Sequence, residues 1–93
     1  MNTYLIAANN NTPFDLTKFH NFVSTYLYSR YVYAWWHYLG GPVYMVKTNL
    51  TSNQLNELVK KHMGTLQYII IKVDPSDSQG WLSREGWAWL GRA

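Results

Sequence analysis

The chain predicts an α+β domain in which a four-stranded antiparallel sheet carries two helices on one face. Three observations lead there. Apolar runs of strand length stand at 3–8, 31–38, 43–48 and 66–73, amphipathic stretches separate the first run from the second and the third from the fourth, and paired glycines divide the middle two.

The first run, TYLIAA from Thr3 to Ala8, ends at Asn9, Asn10 and Asn11, three residues suited to a turn. Thr12 as N-cap, Pro13 at the first helical position and Asp15 in the first turn then begin a helix. Phe14, Phe19, Phe22, Val23, Tyr26 and Leu27 form its apolar stripe, mostly in steps of three and four. YVYAWWHY, from Tyr31 to Tyr38, is almost wholly β-branched or aromatic and reads as the second strand. Gly40, Gly41 and Pro42 break it, and VYMVKT (Val43 to Thr48) returns as the third, giving an antiparallel hairpin.

The start of the second helix is the clearest local signal. Thr51 and Gln54 match a capping box, and Leu50 and Leu55 occupy the two positions of a hydrophobic staple. Leu55, Leu58, Val59 and His62 or Met63 supply the buried stripe, Lys60, Lys61 and His62 suit the negative end of the helix dipole, and Gly64 supplies the stop. LQYIIIKV (Leu66 to Val73) is the fourth strand, ended by Asp74 and Pro75.

This βαββαβ order is the split βαβ, ferredoxin-like pattern. It leaves one sheet face uncovered, and an aromatic strand through an open sheet demands a cover. The domain is therefore read as residues 1–78. Residues 79–93, with QGWLSREGWAWL and three of the five tryptophans, are read as an arm or short helix capped by Ser83 that packs on its own or a partner's sheet.

Ninety-three residues at 47% hydrophobic content support one core. No charged start followed by an apolar run and no span-length apolar stretch is present, so the expectation is a cytoplasmic protein without a membrane partner. The absence of cysteine excludes disulfides, thiolate metal sites and a cysteine nucleophile. Asp15, Glu57, Asp74, Asp77, Glu85, His20, His37 and His62 show no metal-motif spacing, so no metal, cofactor or catalytic residue is assigned. A net charge of +3 and a pI near 9.3 bias the chain mildly towards anionic partners.

The segments TYLIAAN, WWHYL, VYMVKTNLT and GWLSREGWAWL stand in an order and spacing that resembles the small SinR-like proteins, relatives of the second CRISPR-associated protein, a dimeric ferredoxin-like nuclease and integration partner. The resemblance covers nearly the whole chain. It implies a homodimer whose sheets pack together, with the tail crossing to the neighbour. In the nuclease relatives the first strand ends in a metal-binding aspartate, and the matching position here is Asn9, a poorer ligand for a hard cation, so the resemblance does not carry their activity over.

Candidate ligand contacts follow from residue chemistry. Trp35 and His37 share one face of the second strand by alternation and could stack on a base, although packing is the ordinary role of such residues. Asn9, Asn10 and Asn11 could recognise polar ligand edges or simply form the turn. Arg30, Lys47 and Arg84 are candidate anion contacts, and Lys47 and Thr48 end the third strand. Trp36, Tyr38, Trp81, Trp87 and Trp89 are the expected dimer-interface residues. His20, His62 and the Lys60–Lys61 pair read as structural or solvated.

The function expected from these residues is non-catalytic. A homodimer would bind a nucleotide-like or nucleic-acid anion at its subunit interface, with sequestration of a signalling nucleotide in phage–host defence as a special case. The alternatives are a metal-dependent endonuclease, in which Asp15, Asp74 or Asp77 would have to replace the missing carboxylate, and a protein–protein adaptor built on the tail and open sheet.

Overall fold

The computed structural model describes residues 1–8, 13–37, 43–64, 66–77, 80 and 84–91. Among them no helix is long and apolar enough to cross a membrane. The α+β class expected from the sequence is what the chain adopts. Strands β1 (Asn2–Ala8), β2 (Val32–His37), β3 (Val43–Thr48) and β4 (Tyr68–Val73) form one sheet in the order β2-β3-β1-β4, and every neighbouring pair is antiparallel.

Among the described residues three α-helices accompany the sheet, with a short 3-10 turn at Pro75–Asp77. Helix α1 begins as Pro13–Asn21, widens into a π-helical segment over Phe22–Leu27 and closes with an α-turn at Tyr28–Arg30. Helix α2 spans Ser52–Met63, and α3 spans Arg84–Leu90 in the tryptophan-rich tail. The expected cap at Thr12, the Gly40–Gly41 turn and the cap at Ser83 lie outside the described residues.

One sheet face holds the core. Tyr4 and Ile6 of β1 pair with Val46 and Tyr44 of β3, and all four are buried together with Phe19, Val23 and Leu27 of α1 and Leu55, Val59 and Met63 of α2. Alternation along the strands sends Leu5, Met45 and Ile71 to the opposite face. There α3 reaches β3. The Lys47 ammonium donates to the Trp89 carbonyl and lies 4.4 Å from the centroid of the Trp89 ring, a cation–π contact.

A β-bulge sets the facing of β2. Val32 pairs with Thr48 but Ala34 already pairs with Lys47, so Tyr33 is the extra residue. The shift of one residue brings Trp35 and His37, opposite Val46 and Tyr44, onto the same helix-covered face as Val32. Without the bulge, positions 34 and 36 would take those places.

The β3–α2 connection is held by side chains. The buried Thr48 hydroxyl donates to the Tyr31 carbonyl at 2.6 Å and accepts from the Leu50 N–H at 3.1 Å. Asn2 and the Tyr4 hydroxyl both donate to the Leu50 carbonyl, at 3.1 and 3.0 Å. The capping box then starts α2, with Gln54 N–H on Thr51 Oγ1 at 3.2 Å and Thr51 N–H on Gln54 Oε1 at 2.9 Å. At the far end Gly64 has φ +61° and ψ −116°. This is a positive-φ stop outside the left-handed helical well, so it needs glycine more strictly than the expected cap would.

Candidate anion-binding groove

Two stripes run along α1 at four-residue steps. Phe19, Val23 and Leu27 are buried on the sheet. Lys18, Phe22, Tyr26 and Arg30, each one or more residues displaced, turn towards α2 and line a groove with Asn21, Thr25, His62 and Met63. In a regular α-helix a four-residue step overshoots a full turn by about 40°, so such a stripe would drift round the helix. The wider π turn reverses the drift, as the Tyr28 N–H bonds back five residues to the Val23 carbonyl. Serine hydroxyls accompany the change: Ser24 donates to His20 O and Ser29 to Thr25 O, each at 2.7 Å, the i−4 back-bonding that loosens a helix.

The groove is open and has a volume of about 590 Å³. Its floor is a set of rings. Phe22 and Tyr26 stack with centroids 5.7 Å apart and planes 14° apart, and His62 lies 4.1 Å from Tyr26 and 5.3 Å from Phe22. His62 Nδ1 is 2.9 Å from the Leu58 carbonyl. A carbonyl only accepts, so Nδ1 carries the proton and Nε2 is the ring's remaining polar atom. Arg30 lies over the Tyr26 ring at 4.4 Å and also donates to Ser29 Oγ at 3.1 Å. The same nitrogen also donates to the Tyr26 carbonyl at 3.4 Å, so three contacts hold the guanidinium at the ring.

The described lining includes two cations and a histidine and no carboxylate. The C-terminal carbonyls of α2 oppose an anion by about 0.3–1 kcal/mol, and Lys60 and Lys61 in the last turn offset them. The sum favours negative charge with an aromatic part.

A second aromatic group lies at β2 and β3. The Tyr44 hydroxyl and His20 Nδ1 share a hydrogen bond at 2.5 Å, and the His37 ring stacks on Tyr44 at 4.3 Å and 3°. Trp35 meets His20 edge-on at 5.5 Å. Tyr44 is wholly buried, and burial pushes its pKa up to about 12. Tyr68, hydrogen-bonded to Asn56 Oδ1 at 2.5 Å, is also raised, by burial and then by Glu57. Asp74 is lowered by its bonds from the Ser76 hydroxyl and N–H.

The sequence-expected contacts are scattered. Arg30 is in the groove, Trp35 and His37 are half-buried beside Tyr44, Lys47 meets Trp89 and Thr48 is buried. Arg84 is exposed on α3, where Trp87 and Trp89 are half-buried. Asn9, Asn10, Asn11, Tyr38 and Trp81 lie outside the described residues, as does the Trp36 side chain. Among the described residues no three of His, Asp and Glu stand where they could hold a metal ion. Lys18, Phe22, Tyr26 and His62 were not singled out from the sequence as ligand contacts. The four-residue spacing from Lys18 to Arg30 is the signal that could have found the first three.

No protein-family model matches the chain, and neither a curated protein nor a solved structure matches it.

Proposed function

We propose that the protein binds a nucleotide-like or nucleic-acid anion without catalysis, and that the α1–α2 groove is the binding site. The observation that carries this is the Arg30 guanidinium held over Tyr26, next to His62 and on the same stripe as Lys18. A base can stack on the guanidinium while phosphate meets the cations, and a hydrogen bond to a charged group contributes about 1.5–3 kcal/mol. The groove is built within one chain, so binding there does not require ligand atoms to lie on a subunit interface. Kinship with the SinR-like proteins, carried by TYLIAAN, WWHYL, VYMVKTNLT and the tryptophan-rich end, belongs to the same proposal.

The test is titration of adenosine monophosphate into the isotopically labelled protein, followed by NMR. Shifts should concentrate at Tyr26, Arg30 and His62, and Arg30→Ala should weaken them about tenfold or more. Shifts that fall elsewhere, or that are identical in wild type and variant, would refute the site.

Self-association is supported by the edge strand. Ile69 and Ile71 of β4 are 55% and 49% exposed on the face away from the helices, and an edge with apolar side chains invites pairing. Light scattering should give a dimer for wild type and a monomer for Ile71→Lys. A monomeric wild type at high micromolar concentration would end this part of the proposal.

A further inference from the structure

Resting on the groove as the binding site, we infer that its occupant is single-stranded nucleic acid rather than a mononucleotide or a duplex. Lys18 and Arg30 are twelve residues apart on one helix, about 18 Å if every residue rose as in an α-helix and less across the π turn. One phosphate group is a compact charge and can meet only one of these cations. A strand with repeating phosphates can meet both.

Between them Phe22 and Tyr26 cover each other and Arg30 covers Tyr26, so the rings open to a ligand lie at and beyond the end of α1. Phe22 stacks on Tyr26, and Tyr26 lies 6.1 Å from Tyr31 at the end of α1. Tyr31 is itself exposed, and Tyr33, the bulged residue of β2, follows on the surface. Two cations on the groove with the exposed rings of Tyr31 and Tyr33 beyond them match what unpaired bases need, because each base offers a face for stacking whatever its identity. In a duplex those faces are already stacked on each other and only base edges reach the grooves, so the rings would have nothing to meet. Recognition by stacking and charge also implies little sequence preference.

The experiment is fluorescence anisotropy of a labelled twelve-residue oligothymidylate in low salt, against a duplex of equal length and with unlabelled adenosine monophosphate as competitor. The oligonucleotide should bind at least tenfold more tightly than either. Its log affinity should fall linearly with log salt, and Lys18→Ala or Arg30→Ala should each flatten that slope by about 0.7. Tyr31→Ala should weaken binding about fivefold or more with the slope unchanged. All three side chains are exposed, and thermal melts of the variants should match wild type. If the mononucleotide perturbs the groove but the oligonucleotide binds no more tightly, the extended occupant is wrong and the groove remains a nucleotide site. Equal binding of duplex refutes the single-stranded assignment. If neither mononucleotide nor oligonucleotide binds, the groove reading and this inference fall together.

Discussion

Replacing Phe19 by alanine is expected to remove about 3–5 kcal/mol of stability, the usual cost of deleting a buried phenyl ring and leaving its space partly unfilled. Phe19 is 1% exposed, and its ring meets Tyr44 at 5.3 Å and Phe22 at 6.5 Å, so it joins α1 to β3 and to the groove floor. A domain of this length has a total stability of about 5–14 kcal/mol. The variant should therefore unfold at a much lower urea midpoint with an unchanged m-value, or fail to fold at all near 37 °C. A loss under about 1 kcal/mol would mean that α1 is not seated on the sheet through this ring. Phe19→Leu, which keeps most of the apolar volume, should recover a large part of the loss.

Alkaline pH should destabilise the protein through Tyr44. Its folded pKa of about 12 lies above the ordinary value of 10.0, so between these values the unfolded chain gives up the phenolic proton more readily than the folded one. The unfolded state then binds fewer protons, and stability falls as pH rises. Below pH 10 both states keep the proton and the group contributes no pH dependence. By pH 12 the loss reaches about 2 kcal/mol. Tyr44→Phe lacks the hydroxyl and its bond to His20, so at pH 8 it should be less stable than wild type by about 1 kcal/mol. Above pH 10 that difference should shrink, and near pH 11 it should reverse. Tyr68, raised in the same direction, leaves the variant a residual slope. Urea unfolding curves that keep a constant gap from pH 9 to 12 would show that Tyr44 titrates alike in both states.

The elements legible in the sequence were those defined by local chemistry. Thr51 and Gln54 announce the start of α2 because a capping box needs only residues three apart, and the strand runs announce themselves by composition. Three features were not legible. The bulge at Tyr33 depends on how β2 registers against β3, so alternation could place Trp35 with His37 but could not say which face they share. The groove needs α1 and α2 side by side, which makes His62 a partner of Tyr26 from 36 positions away in the chain. Read on α2 alone, His62 is only a basic residue at a helix end. The π turn was hidden for a third reason, since bonding five residues back and not four demands no residue type that capping or periodicity rules could read.

That π turn also has a genetic meaning. It accommodates one residue more than an α turn, so losing a single codon within it would let α1 close as a regular helix. Because the turn takes up the extra residue, the helix before and after it would keep its facing, and a codon lost at Ser24 or Thr25 would leave Phe19 and Arg30 on their present sides of the axis. The effect of such an in-frame deletion would fall on the turn itself and on the groove floor that Phe22 and Tyr26 form. Chains of this kind can gain or lose one residue at this point without rebuilding the domain on either side of it.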